Sequence, residues 1–305
     1  MASVGIDPEV RSLVPRMPSR LPAFVKLMKL RIIELLLITT VPVMFVASKT
    51  VPSFGLVLCT LVAGTLSAAS ANVANMVYDR DIDALMKRTE SRPLVTGEIT
   101  TAEAIVFACV LQIVAFTIFA TTVNVTSGVL ALAAAAFYLF IYTMWLKRRS
   151  RSNIVIGGAA GALPPMIGWT AVTGHLAVAP FLCFAIVFLW TPPHFWALAM
   201  RYREDYAAAS VPMLPVVADP GHVTRQISAY TVVVIAIAFL LAPVAHLGVL
   251  YLVVTSLASV EFIWRVVVLA RAKTTAAAMR VFHSSILFLT LLFVAMGVDA
   301  LVRHP

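Results

Sequence analysis

Long apolar runs separated by short polar connections dominate this chain. Nine can be traced, at about residues 32–47, 54–73, 105–121, 129–146, 154–171, 178–200, 227–247, 249–269 and 284–301. Each is near the length a helix needs to cross a bilayer. A backbone in lipid must satisfy its own N–H and C=O groups, which a helix does within one segment. The pattern predicts an all-α polytopic membrane protein with nine transmembrane helices around a central cavity. Residues 1–25 hold prolines and arginines but no apolar core, so they read as a flexible cytoplasmic tail and not a signal peptide. Residues 26–305 read as one transmembrane domain.

Composition narrows the picture. Of the 305 residues, 61% are hydrophobic and only 12% are charged, against about 25% charged in soluble domains. A net charge of +9 does not point to nucleic acid, because long apolar segments interrupt the basic residues. Their positions instead alternate from one connection to the next. Arg80, Lys87, Arg88 and Arg92 follow the second run; Lys147, Arg148, Arg149 and Arg151 follow the fourth; Arg201, Arg203 and Arg225 follow the sixth; Arg271, Lys273 and Arg280 follow the eighth. Of the other connections, one carries Lys49 alone and three carry no Lys or Arg. By the positive-inside rule, this places the N-terminus and the long loops in the cytoplasm and the C-terminus outside, with membrane lipid as the surrounding partner. Cys59, Cys109 and Cys183 all fall in apolar runs without CxxC spacing and read as small buried hydrophobes.

The densest patch of charge directly follows the second run. Asn75, Asp79 and Asp83 stand at i, i+4 and i+8 and share one helical face, with Asn72 a turn earlier. Carboxylates this close repel unless a cation or a proton settles them. Beside basic residues, such a face looks like a place where Mg²⁺ holds a phosphate-bearing substrate. A second constellation ends the sixth run, where His194, Arg201 and Asp205 also fall on one helical face. Read blandly, Arg201–Asp205 is an i,i+4 surface pair. An ionisable His194 within a membrane span, just after Pro192–Pro193, argues for function. The two constellations hold matching places before long cytoplasmic loops, which hints at two repeated halves. A third cluster, Lys147-Arg148-Arg149 with Arg151, reads either as a topology determinant or as an anion clamp. The glycines that follow, Gly157, Gly158 and Gly161, suit close helix packing and lack the GxxxxGK order of a phosphate loop.

These motifs together resemble the intramembrane (UbiA-type) prenyltransferase superfamily, and within it the branch that acts on haem. Asn75-x-x-x-Asp79-x-x-x-Asp83 matches the first family motif. Arg88-Thr89-x-x-Arg92-Pro93-Leu94, Tyr142-Thr143-x-x-Leu146-Lys147-Arg148, Gly161-Ala-x-Pro164-Pro165-x-x-Gly168-Trp169, Pro193-His194-Phe195-Trp196 and Asp205-Tyr206-x-x-x-x-Val211-Pro212-Met213-Leu214-Pro215 match the haem branch. The resemblance covers about residues 26–298. Quinone-type relatives carry a second acidic pair, whereas here Arg201 replaces the first acid and His194 stands where they have another Asp. Lys29-Leu30-Arg31 departs from the branch's Lys-Pro-Arg.

The resemblance implies a Mg²⁺-dependent enzyme of the bacterial plasma membrane that transfers the farnesyl group of farnesyl diphosphate to a vinyl group of haem B. Asn75, Asp79, Asp83 and Asp205 would hold the metal. Arg88, Lys147, Arg148 and Arg201 would contact the diphosphate, and His194 would contact haem or move a proton. Oxidase-assembly proteins or a haem A synthase are implied as downstream partners. The competing readings are a prenyltransferase for a quinone or chlorophyll precursor, a secondary transporter, and a haem chaperone.

Overall fold

The computed structural model describes residues 20–303. These residues are helical throughout, with no strand among them. A short helix, α1 (Leu21–Met28), leads through the left-handed residue Lys29 into α2 (Leu30–Ser48). Eight more long helices follow: α3 (Phe54–Tyr78), α4 (Thr101–Val123), α5 (Val125–Leu146), α6 (Asn153–Thr173), α7 (Val178–Arg201), α8 (Pro220–Val244), α9 (Val249–Ala272) and α10 (Thr275–Arg303). Those eight are long and apolar enough to span a membrane, and α2 supplies the ninth long helix, with Ile38–Ser48 as its described apolar part. Residues 1–19 of the expected tail lie outside the described residues. The remainder is structured, since Ala23 and Leu27 of α1 are buried.

Polar residues at the membrane boundary start these helices. Ser53 accepts a hydrogen bond from the Leu56 amide, Asn124 from that of Ser127, Asp219 from that of His222 and Thr274 from that of Ala277. Thr100 and Glu103 form a reciprocal capping box at α4. Each cap satisfies an amide that the helix itself leaves unpaired. Arg20 then clamps the box, with two bonds of 2.7 and 2.8 Å to Glu103.

Two departures from plain α-helix matter for the site. Helix α6 is interrupted at Leu163, because Pro164 and Pro165 have no N–H to give the preceding turn. Helix α5 becomes π-helical over its last ten residues, Phe137–Leu146. There the Lys147 amide donates to the Tyr142 carbonyl, five residues back, at 2.8 Å. By contrast, α7 runs unbroken through Pro192 and Pro193.

Each long helix packs on its neighbours in sequence, and α10 closes the ring by packing on α2. Helix α2 also packs on α6, and α7 on α10. The largest apolar core lies among α7–α10, with Ile186, Tyr251, Phe262 and Phe288 fully enclosed. A smaller one gathers Leu27, Val73, Met76, Leu94 and Leu111 around α1, α3 and α4. The outer surface is apolar as well: Ile113, Val249, Val260 and Trp264 are all more than half exposed. A soluble protein would not leave such a belt uncovered, whereas lipid covers it at no cost. The chain is an integral membrane protein.

At the end opposite the charged loops, the buried Asp299 carboxylate of α10 accepts from the Gly248 amide at 2.6 Å and the Tyr251 amide at 3.3 Å. It thereby caps α9 from another helix. Backbones approach closely between α6 and α2, where a Cβ on Gly168 would lie 2.6 Å from the Thr40 carbonyl oxygen. Gly168→Ala should therefore force α2 and α6 apart and cost about 1–3 kcal/mol. A thermal unfolding midpoint in detergent equal to that of the parent would refute this close contact.

Candidate active site

The expected acidic face exists. Helix α3 ends at Tyr78, Asp79 forms the junction, and a single turn over Arg80–Asp83 continues the same rise. Continuity comes from the Asp79 amide donating to the Asn75 carbonyl at 2.9 Å and the Asp83 amide to the Asp79 carbonyl at 2.8 Å. The three side chains therefore follow one another along one side, and all are buried. Asn72 is buried too, but its amide donates to the Met28 carbonyl at 3.2 Å and anchors the end of α1.

A buried carboxylate must be paired, and both are. One Asp79 oxygen, Oδ2, accepts from Asn75 Nδ2 at 2.6 Å and forms an ion pair with Lys147. Asn75 Nδ2 also donates to Thr143 Oγ1 at 3.1 Å, and its Oδ1 accepts from Lys29 Nζ at 3.2 Å. Asp83 pairs with Arg92. Thr143 lies in the π-helical end of α5 and Lys147 caps it, so this irregular turn brings an acceptor and a cation to the acidic face. π-Helical turns are frequent at functional sites for this reason.

The other Asp79 oxygen, Oδ1, is buried and has no hydrogen-bond partner, with Arg148 at 3.7 Å. Leaving a buried carboxylate oxygen unmatched costs free energy, so this atom fits a ligand-binding role. The donor set on this face, two carboxylates and an amide oxygen, is all hard oxygen and suits Mg²⁺. Among the described residues no three His, Cys, Asp or Glu converge into a metal cage. Mg²⁺ does not require one, because it usually takes one or two carboxylates and completes its shell with phosphate and water.

The surrounding field is basic. Burial, with the nearby Arg92 and Lys147 charges, pushes the Lys29 ammonium well below its ordinary pKa. Lys29, Arg92 and Lys147 bring three basic groups to two carboxylates, Asp79 and Asp83. An incoming anion would offset the repulsion among them and help Lys29 hold its proton.

Arg148 holds a different place from Lys147. It makes two 2.6 Å bonds to Asp81, donates to the Tyr78 carbonyl at 3.0 Å and lies over the Tyr78 ring. These bonds to Arg148 hold the Asp81 carboxyl below its usual range. Arg148 lines an open groove of about 670 Å³ with Tyr78, Arg80 and Asp81.

The second constellation is not a copy of the first. Helix α7 ends at Arg201, Tyr202 forms the junction, and a short helix runs over Arg203–Ala208. Matched by junction, Tyr202 and Tyr206 fall where the first half has Asp79 and Asp83. Both tyrosines engage Arg88 of the first loop: its guanidinium lies 5.6 Å from the Tyr202 ring centre, and its charge acts on the Tyr206 hydroxyl. Burial raises the Tyr206 pKa, opposed by Arg88. The two loops therefore meet.

Backbone bonds carry the rise across this junction too, from the Tyr202 amide to the Leu198 carbonyl at 3.3 Å and from the Tyr206 amide to the Tyr202 carbonyl at 3.1 Å. Arg201 is exposed, Asp205 is half-buried, and no ion pair joins them among the described residues. His194 lies deeper. It stacks between Trp190 and Phe282, with centroids 4.2 and 4.5 Å away, and its Nδ1 is 2.8 Å from Ser285 Oγ. Among the described contacts, it touches none of the groups around Asp79.

Lys29, Arg92, Thr143 and Tyr206 carry the site as much as the predicted residues do. Arg92, Thr143 and Tyr206 stand inside the motifs quoted above but had no role assigned to them. Lys29 was visible only as one of several basic residues before the first run.

Comparison with known proteins agrees with this geometry. The model of the UbiA prenyltransferase family matches residues 36–292. Protoheme IX farnesyltransferase of Frankia casuarinae is 54% identical over 289 residues, covering 94% of this chain and all of that one. The protein of the same name from Streptomyces coelicolor is 50% identical over 291 residues, covering 93% and 92%. In fold, the chain resembles a solved digeranylgeranylglyceryl phosphate synthase, with a TM-score of 0.77 at 18% identity over 93% of this chain and 100% of that one. It also resembles a UbiA homologue from Archaeoglobus fulgidus bound to GPP and Mg²⁺, with a TM-score of 0.63 at 17% identity over 90% and 99%.

The Lys147–Asp79 pair admits a direct test. Lys147→Met strands Asp79 in a buried site and should cost about 3–5 kcal/mol. Adding Asp79→Asn should recover part of that loss. A double-mutant cycle with no coupling energy would refute the pairing.

Proposed function

The chain belongs to the UbiA prenyltransferase family, and on that premise we propose that it transfers the farnesyl group of farnesyl diphosphate to a vinyl group of haem B. The products are haem O and diphosphate. The observation that carries this reading is the buried acidic face of Asn75, Asp79 and Asp83 set among Lys29, Arg92 and Lys147.

In this reading the ion pairs are placeholders. Asp79, Asp83 and the Asn75 amide oxygen, with Asp205 from the second loop, would hold Mg²⁺. When bound with the diphosphate, that ion offsets the charge that grows as the C–O bond breaks. Lys147 and Arg92, released from the carboxylates, then turn to the diphosphate from within the bundle mouth, with Lys29 beside them and Arg88 at the meeting point of the two loops. Arg148 and Arg201 are outer contacts. Exchange of partners in a buried site strengthens each new charge contact, since little water competes. The apolar bundle keeps water from the allylic cation until the vinyl group captures it. Water then adds to the substituted vinyl carbon and loses a proton, which His194 is suited to accept.

In this reading the mouth faces the cytoplasmic side of a bacterial plasma membrane and Arg303 lies outside, an orientation that the positive-inside rule favours. A lipophilic product in that membrane would be passed to oxidase-assembly proteins or a haem A synthase.

Incubation of the purified protein with haem B, farnesyl diphosphate and Mg²⁺ should yield a farnesylated haem, identified by mass. Asp79→Asn should lower turnover on the order of 100-fold while the protein stays folded. A parent protein that consumes no farnesyl diphosphate in the presence of haem would overturn the reading.

A further inference from the structure

We propose that Ser285 is a positioning residue that locks His194 in the tautomer with the proton on Nδ1, so that Nε2 offers its lone pair to the reaction. The argument starts from the hydroxyl. Ser285 Oγ has one proton, and it donates that proton to the Phe282 carbonyl at 2.7 Å. Its remaining role toward His194 Nδ1, 2.8 Å away, is that of acceptor. Nδ1 therefore carries the hydrogen.

The surroundings leave one edge of the ring for chemistry. Trp190 and Phe282 cover its two faces, and Phe195 meets it edge-on at 5.3 Å. The Nδ1 edge is held by Ser285. What remains is the edge bearing Nε2. With the other nitrogen protonated, Nε2 is the basic atom of a neutral imidazole. It is therefore the atom able to take a proton from an adding water molecule or to bind iron.

The anchor is itself rigid. Trp190 Nε1 donates to the Ser285 backbone carbonyl at 2.7 Å, and Ser285 is fully buried. Trp190, His194 and Ser285 form a knot between α7 and α10. Removing the Ser285 hydroxyl leaves the Trp190 bond in place, so packing and tautomer control are separable.

This inference rests on the reading of His194 as functional, and the experiment keeps the two apart. The full chain is labelled with ¹⁵N-histidine, and the His194 signals are assigned by their loss in His194→Gln. The parent should show a protonated Nδ1 and an unprotonated Nε2. Ser285→Ala should let the proton redistribute between the nitrogens and lower farnesyl transfer about ten-fold. Ser285→Thr, which restores the hydroxyl, should recover both. An Nε2-protonated parent, or an Ala variant with an unchanged tautomer, would overturn the proposal. A shifted tautomer with full turnover would overturn its functional half. A parent that forms no farnesylated haem yet shows the expected tautomer would count against the haem reaction and leave the Ser285–His194 geometry standing.

Discussion

The need to neutralise Asp79, a carboxylate fully shielded from solvent, organises the charged mouth of this protein. Its partners come from across the fold: Asn75 from its own helix and Lys147 from α5. Asn75 in turn binds Thr143 of α5 and Lys29 at the start of α2. One buried charge thus ties three helices together, because stranding it would cost several kcal/mol. The same tension makes the cluster useful. A site whose carboxylates already face basic groups can exchange internal partners for a metal and an anion without unfolding.

The two halves share a plan but divide the labour. Each carries a long helix, a one-residue junction and a short helical turn at the mouth. In the first half the junction and the residue four later are aspartates. In the second they are tyrosines, which engage Arg88. Arg201 and Asp205 do not form an ion pair among the described residues. In the proposed reading, metal binding would concentrate on the first half, while the second supplies, deeper down, the aromatic setting of His194.

Much of this was legible in the chain itself. The nine apolar runs coincide with the nine long helices because hydrocarbon leaves the backbone no alternative to helix. The i, i+4, i+8 spacing of Asn75, Asp79 and Asp83 survives the junction at Asp79, since two backbone bonds carry the helical rise across it. The same spacing does not make an ion pair of Arg201 and Asp205 among the described residues, although two backbone bonds cross that junction too. The two proline pairs also behave differently: α7 continues through Pro192–Pro193, while the pair at Pro164–Pro165 interrupts α6.

The sequence by itself determined that the chain is helical and membrane-spanning, where its charge concentrates, and which acids face one way, because these depend on local periodicity and on the solvation of single segments. Only the tertiary structure decided which cation meets which acid. Lys147 lies 68 residues from Asp79, and its approach depends on a π-helical turn that rotates it relative to an ordinary α-helix. Ser285 lies 91 residues from His194 and meets it through the packing of α10 on α7. Such pairings depend on the rotation and depth of whole helices, which packing of apolar faces sets jointly for the bundle. No single stretch of sequence carries that information.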